Sequence, residues 1–191
     1  MDDYVFAEFR GLLEHEAVEG DQSSHAGPPP DAYGRVTNPE RYIVVQAATD
    51  VLVKRLAQTY QVRLGEPDPD PDLVARLRAL RTVRLDPDNS GAGPLLCTFT
   101  AFPGVVLSIC GGYQCAYPSC GCDGCNEVPD RVIGDLTETV ETYVQGGLSE
   151  SVSGHTYSFR IGGLSGTVVI AEDDPRRALP AYRSWKAWEP R

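Results

Sequence analysis

Between Pro129 and Gln145 apolar side chains recur at helical spacing. Val132, Ile133, Leu136, Val140, Tyr143 and Val144 share one face, and Gly146-Gly147 follows as a terminator. A second helix is predicted to open at Asn38-Pro39-Glu40, a cap candidate followed by proline in the first turn. Its expected apolar face is Val44, Val45, Ala48, Val51, Leu52 and Leu56, with Asp50, Lys54 and Gln58 outward. Near the N-terminus, residues 3–17 carry Val5, Phe6, Phe9, Leu12 and Leu13 on one face behind Asp2 and Asp3, which suit a helix start. The chain then turns polar from Glu19 and reaches Gly-Pro-Pro-Pro at Pro30, the composition of a linker.

Shorter runs read as strands. Thr82–Leu85, Leu95–Thr100 and Val105–Cys110 are apolar or alternating and are separated by Gly, Pro and Asp; the last two form a hairpin at Ala101-Phe102-Pro103-Gly104. Ser149–Ser153, Thr156–Ile161 and Thr167–Ala171 follow the long helix, with Tyr157, Phe159 and Ile161 alternating against Thr156, Ser158 and Arg160. The run Glu66-Pro-Asp-Pro-Asp-Pro-Asp72 suits neither helix nor central strand. It reads as a solvated loop, since calcium would need a ligand pattern the prolines do not supply. Leu73–Leu80 is expected to add a short helix.

Strands and helices are grouped rather than strictly alternating. The expected class is therefore α+β: an antiparallel sheet packed against two main helices, with a cysteine-rich metal-binding loop between a strand and a helix. The expected layout is an amphipathic helix over 1–18, a linker over 19–36, the α+β domain over 37–175 with its cysteine loop at 110–127, and a basic aromatic tail over 176–191.

Composition adds boundaries. At 191 residues, with 41% hydrophobic and 23% charged, the chain can bury a core of its own. All but Lys54 and Lys186 of its 17 basic residues are arginine. The net charge of −10 disfavours non-specific nucleic-acid binding. It is uneven: residues 176–191 hold Arg176, Arg177, Arg183, Lys186 and Arg191 against Glu189 alone. Within that tail Tyr182, Trp185 and Trp188 recur every three residues, either as an aromatic anchor for a protein partner or as a tail folded back on the core.

The chemistry lies in the cysteines. Cys115, Cys120, Cys122 and Cys125 fall within eleven residues, Cys110 stands five upstream of them, and Cys97 lies apart in an apolar strand as a small buried hydrophobe. Cys122-Asp-Gly-Cys125 has the spacing of a metal knuckle, and Cys120-Gly-Cys122 brings a third thiol close in almost any compact conformation. Zinc with thiolate ligands is the favoured reading, with Cys115 the first choice for a fourth ligand and Cys110 the second. An iron–sulfur cluster and a disulfide knot are the alternatives; neither standard ferredoxin spacing is matched. The first ten residues lack a basic region followed by an apolar core, and no run approaches the roughly 18 apolar residues of a membrane span. A cytoplasmic setting is expected, where clustered cysteines bind metal or do redox work.

Tyr33-Gly-Arg-Val-Thr-Asn-Pro-Glu-Arg41, the turn Phe102-Pro-Gly-Val105, Tyr117-Pro-Ser-Cys-Gly-Cys-Asp-Gly-Cys-Asn-Glu127 and the ending Trp185-Lys-Ala-Trp-Glu-Pro-Arg191 together resemble an actinobacterial domain-of-unknown-function family, number 6226. The resemblance covers residues 31–191. Relatives commonly carry Asp where this chain has Asn126, and Cys110 and Cys115 match nothing in the family pattern. The resemblance implies a bacterial cytoplasmic setting and no activity.

Catalysis finds little support in the sequence. His25 lies in the expected linker, His15 ends the acidic first helix, and His155 sits in a turn-like Ser-Gly-His-Thr. No nucleophile elbow, phosphate loop, dinucleotide fingerprint or zinc-protease helix is present. Asp123 and Glu127 flank the sulfurs as general-base candidates, but a metal closed by four thiolates leaves no site for water. The expectation is a protein-binding or regulatory module with a structural zinc. The alternative is a thiol-redox or metal-dependent enzyme using the same loop, and a third possibility is a sensor of zinc or oxidation.

Overall fold

In the computed structural model of the chain, residues 27–110 and 112–191 are described. The helix expected over residues 3–17 lies outside them. The class is the expected α+β, with the strands divided between two antiparallel sheets rather than gathered in one. The first sheet is a meander in sequence order, β1 (Val62–Gly65), β2 (Ala79–Pro87), β3 (Leu95–Thr100), β4 (Val105–Ile109) and β5 (Tyr113–Tyr117). The second comprises β6 (Leu148–Ser153), β7 (Thr156–Ile161), β8 (Leu164–Val169) and β9 (Tyr182–Ser184), in the order β8-β7-β6-β9.

Among the described residues three α-helices accompany them: α1 (Ile43–Thr59), α2 (Pro71–Leu77) and α3 (Pro129–Val144). A 3-10 turn over Pro39–Tyr42 leads into α1. α1 buries Val45, Thr49, Leu52, Val53 and Leu56. Val44 and Val51, expected inward, are 48% and 67% exposed. The stripe 45-49-52-56 follows the i, i+4, i+7 rule as well as the expected face does, and it carries Leu52 and Leu56 without Val44 and Val51. α3 buries Val132, Leu136, Val140, Tyr143 and Val144, close to the expected face.

One hydrophobic core runs through both sheets and both long helices. It includes Leu95, Cys97 and Phe99 of β3, Val105, Leu107 and Ile109 of β4, Leu136 and Tyr143 of α3, and Tyr157 and Phe159 of β7. Successive strand residues face opposite ways, so the second face of the meander carries its own small cluster. There Val106 and Ala116 pack against Leu73 and Leu77 of α2. That double burial explains why β3 and β4 read as nearly continuous apolar runs.

The acidic Pro-Asp stretch connects β1 to α2. Asp70 caps the helix by accepting from the Asp72 amide at 2.8 Å, and Arg78, left-handed at φ 50°, ends it. The short helix is thus displaced from the expected Leu73–Leu80, because Ala79 and Leu80 already belong to β2. The C-terminal tail is structural: β9 pairs with β6, and Trp185 and Trp188 are 6% and 3% exposed in the core. Glu150, itself buried, accepts from Trp185 Nε1 at 2.6 Å and from Tyr157 Oη at 2.7 Å. Arg191 closes the tail on α1, donating through Nε to the Ala57 and Tyr60 carbonyls at 3.0 Å each. Of the three tail aromatics only Tyr182 remains exposed.

Candidate metal centre

β5 delivers the chain to the cysteine loop. Tyr117 Oη lies 2.8 Å from Thr139 Oγ1, fixing the end of the strand against α3, and the chain leaves through a cis Tyr117–Pro118 bond. Residues 119–127 then fold back on themselves around one side chain. Glu127 accepts the Ser119 amide at 3.0 Å and hydroxyl at 2.8 Å through Oε1, and the Cys120 and Gly121 amides at 2.8 and 2.9 Å through Oε2. A carboxylate with four donors at the mouth of a helix fixes the loop's outline before any metal is considered.

Inside that outline the Sγ atoms of Cys120, Cys122 and Cys125 lie within 4.8 Å of one another. The Cys120 and Cys122 sulfurs are 3.2 Å apart, and the Cys125 amide points at Cys122 Sγ at 3.4 Å. Zinc–sulfur bonds of about 2.3 Å place tetrahedral thiolates about 3.8 Å apart, so the trio fits a single ion. Asn126 takes φ 44°, a left-handed conformation asparagine tolerates, and its amide returns to the Cys122 carbonyl at 3.0 Å. Gly121 takes φ 75° and lies against the Phe102 ring; a Cβ there would stand 2.5 Å from it. Gly124 admits the Tyr33 ring in the same way, 2.8 Å from where its Cβ would be.

The loop is clasped by the segment before α1. A 3-10 turn over Pro30–Gly34, within the stretch expected as linker, offers the Ala32 carbonyl to the Gly124 amide at 2.9 Å. The Arg35 carbonyl accepts the Asp123 amide at 2.8 Å. Asp123 in return accepts from Arg35 Nε at 3.0 Å and from the amide and hydroxyl of Thr37 at 3.0 and 3.1 Å. The Thr37 amide foremost, with Arg35 and the Thr37 hydroxyl adding to it, holds the Asp123 carboxyl below its ordinary range. Tyr42 donates to the Glu127 carbonyl at 3.0 Å, and Arg41 reaches Asn126 Oδ1 at 3.3 Å. The Tyr33–Arg41, Phe102–Val105 and Tyr117–Glu127 stretches, separate in sequence, therefore meet around the three sulfurs.

The structure brings Cys120, Cys122 and Cys125 together and does not bring Cys115 or Cys110 to them. Cys115 sits on β5 opposite Leu107, and burial raises its thiol pKa. Cys110, left-handed at φ 54° in the β4–β5 turn, lies 2.7 Å from Tyr143 Oη, and burial pushes its thiol up to about 12. Cys97 is a buried hydrophobe on β3, as expected. Within the trio, burial works upward on Cys122. The Cys125 amide, the neighbouring thiols and the Gly124 amide outweigh it, so that thiol falls below its ordinary value. Burial and the two neighbouring thiols push Cys125 up to about 12, and burial also raises Cys120. All six cysteines are free of disulfides.

His155 stands apart, its Nδ1 2.8 Å from Arg177. A cavity of about 630 Å³ opens elsewhere, on the second face of the meander, lined among others by Thr82, Arg84, Thr98, Gln114 and Arg176. It shares no residue with the three-cysteine group. Two of its three arginines, Arg84 and Arg176, are engaged by Asp86 and Asp174. Sequence reasoning missed the clasp of Asp123 by Arg35 and Thr37. The only signal was that two of the family-like stretches contain these residues.

Fold and site together define an α+β protein whose strand-to-helix connection carries a three-cysteine group able to hold a metal ion. The model of a family of unknown function (DUF6226) matches residues 9–191, and the chain belongs to that family. No curated protein and no solved structure matches. None of the helices among the described residues is long and apolar enough to cross a membrane.

Proposed function

We propose that the chain is a zinc-binding module in which Cys120, Cys122 and Cys125 hold the ion. The ion secures the connection between β5 and α3, and the module acts through contact with a protein partner rather than through catalysis. The observation that carries the reading is the convergence of three sulfurs within 4.8 Å in a loop already outlined by Glu127 and clasped through Asp123. Thiolates in this number and arrangement suit zinc better than harder ions. Asp123 and Glu127, the flanking carboxylates, are committed to three and four donors respectively, which removes them as bases for hydrolysis.

Elemental analysis of freshly purified, untagged protein, with free thiols counted before and after chelation, tests the reading. One zinc per chain and three additional thiols released by the chelator are expected. A metal-free protein whose loop thiols react at once would sink it. One observation favours a second reading, thiol-redox chemistry: the Cys122 thiol is lowered and lies 3.2 Å from Cys120. That reading requires Cys122, fully buried in the fold, to become reachable by an alkylating reagent in the metal-free protein, together with a reversible disulfide from Cys122 to Cys120 or Cys125.

A further inference from the structure

Three protein thiolates satisfy only part of a tetrahedral ion, and the surroundings determine what can complete it. Among the described residues no fourth histidine, cysteine, aspartate or glutamate joins the group. The nearest carboxylates are engaged: Asp123 by Thr37 and Arg35, and Glu127 by the Ser119, Cys120 and Gly121 amides and the Ser119 hydroxyl. Cys115 faces the core from β5, Cys110 is held at Tyr143, and His155 at Arg177.

The trio is also graded in exposure. Cys122 is fully buried, Cys120 half-buried and Cys125 exposed, so the triangle of sulfurs has a closed side and a side toward solvent. The Arg41 guanidinium, stacked on Tyr42, reaches Asn126, the neighbour of Cys125, at 3.3 Å.

Resting on the three-thiolate reading above, we propose that the fourth coordination position opens to solvent on the Cys125 side and takes a low-molecular-weight thiol as an exchangeable thiolate ligand. Binding would release the thiol's proton to solvent and displace any solvent ligand at that position, with no change of oxidation state. Thiolate suits a borderline-soft ion already bound by sulfur, and exposure at Cys125 leaves the position reachable. The module thereby becomes a thiol-binding site in its own right, a role that a four-thiolate site could not fill.

Cobalt(II) substitution followed by visible absorption tests this in the full chain. Cobalt should bind one per chain with thiolate charge-transfer bands. Addition of β-mercaptoethanol should then shift the d–d bands saturably, with cobalt retained through gel filtration. Unshifted bands at saturating thiol would show a closed site and overturn the proposal. His25→Ala and Cys115→Ser keep the test sharp, since His25 lies outside the described residues and Cys115 is the expected fourth thiolate. A thiol response that appears only in one of these variants means that the chain fills the position itself, which also overturns it. Failure to bind cobalt at all would remove the three-thiolate reading itself, an outcome distinct from a closed site.

Discussion

Asp123 Oδ1 accepts both the backbone amide and the hydroxyl of Thr37, at 3.0 and 3.1 Å, across 86 residues of chain. One carboxylate thus joins the residue between two metal-ligand candidates to the segment that leads into α1. Partners that orient a ligand loop without touching the ion typically matter 10–100-fold in metal affinity. Asp123→Ala is expected to weaken zinc binding by about that factor, read by competition with a chromophoric chelator. Wild-type affinity in this variant would show that the clasp and the loop act independently.

The six cysteines should separate into two groups. Serine at Cys120, Cys122 or Cys125 is expected to lower metal content and thermal stability together, because metal-binding free energy is folding free energy where the site holds a loop. Cys110→Ser and Cys115→Ser should leave one zinc per chain, since both thiols are held away from the trio. Elemental analysis beside thermal unfolding of each variant decides the matter. A Cys115→Ser protein that loses its zinc would make Cys115 the fourth ligand.

Much of this was legible in the chain. The face of α3, the β3–β4 hairpin and the knuckle Cys122-Asp-Gly-Cys125 follow from periodicity and spacing, which are local properties. The misses share a cause as well. Tyr113–Tyr117 hid as a strand because its cysteine invited a loop reading, and β9 hid in a tail whose aromatics only declare their burial once β6 is in place. Val44 and Val51 sit one position off the buried stripe of α1, a rotation that periodicity alone cannot fix when both edges of a helix are apolar. Which cysteines meet was likewise a long-range matter: the group gathers Cys120, Cys122 and Cys125, while Cys115 stays on β5 opposite Leu107.

Gly121 is irreplaceable on two counts, its φ of 75° and the Phe102 ring that fills the space of a side chain. A left-handed conformation costs an ordinary residue about 1–2 kcal/mol before any clash. Gly121→Ala is therefore expected to destabilise the fold by at least about that amount and to weaken metal binding, as the Cys120 and Cys122 sulfurs flank it. Paired unfolding curves with and without chelator provide the check: the loss should be larger in the metal-bound protein.

The tail should prove part of the core rather than an appendage. Trp188 is 3% exposed, edge-on to Tyr60 and Tyr143 with ring centres 5.8 and 5.9 Å away. Deleting so large a buried ring costs about 3–5 kcal/mol, a large share of a domain's total stability. Trp188→Ala should melt far below the wild type, and truncation after Ala178, which also removes β9, should abolish cooperative unfolding. A truncated chain that still melts cooperatively at the wild-type temperature would return the tail to the role of a partner anchor.

Asp174 supplies a pH signature away from the metal. Its carboxylate accepts from the Arg176 amide at 2.8 Å and from the guanidinium at 2.9 and 2.6 Å, and the guanidinium foremost holds the Asp174 carboxyl below its ordinary range. A carboxyl depressed in the folded state contributes stability at pH values above its unfolded pKa of about 3.9. That contribution is lost as the pH falls through the lower folded value. Asp174→Asn removes the titrating group while keeping a similar shape. The wild type should therefore melt above the variant from pH 5 to 7 (roughly, one to two units clear of the unfolded pKa), and the gap should narrow once the pH drops below about 4. Melting temperatures of the two proteins across that range read the difference directly, and other carboxylates cancel because both proteins carry them. A gap that stays constant to pH 2 (about two units below the unfolded pKa) would mean that the Asp174–Arg176 pair does not couple to folding.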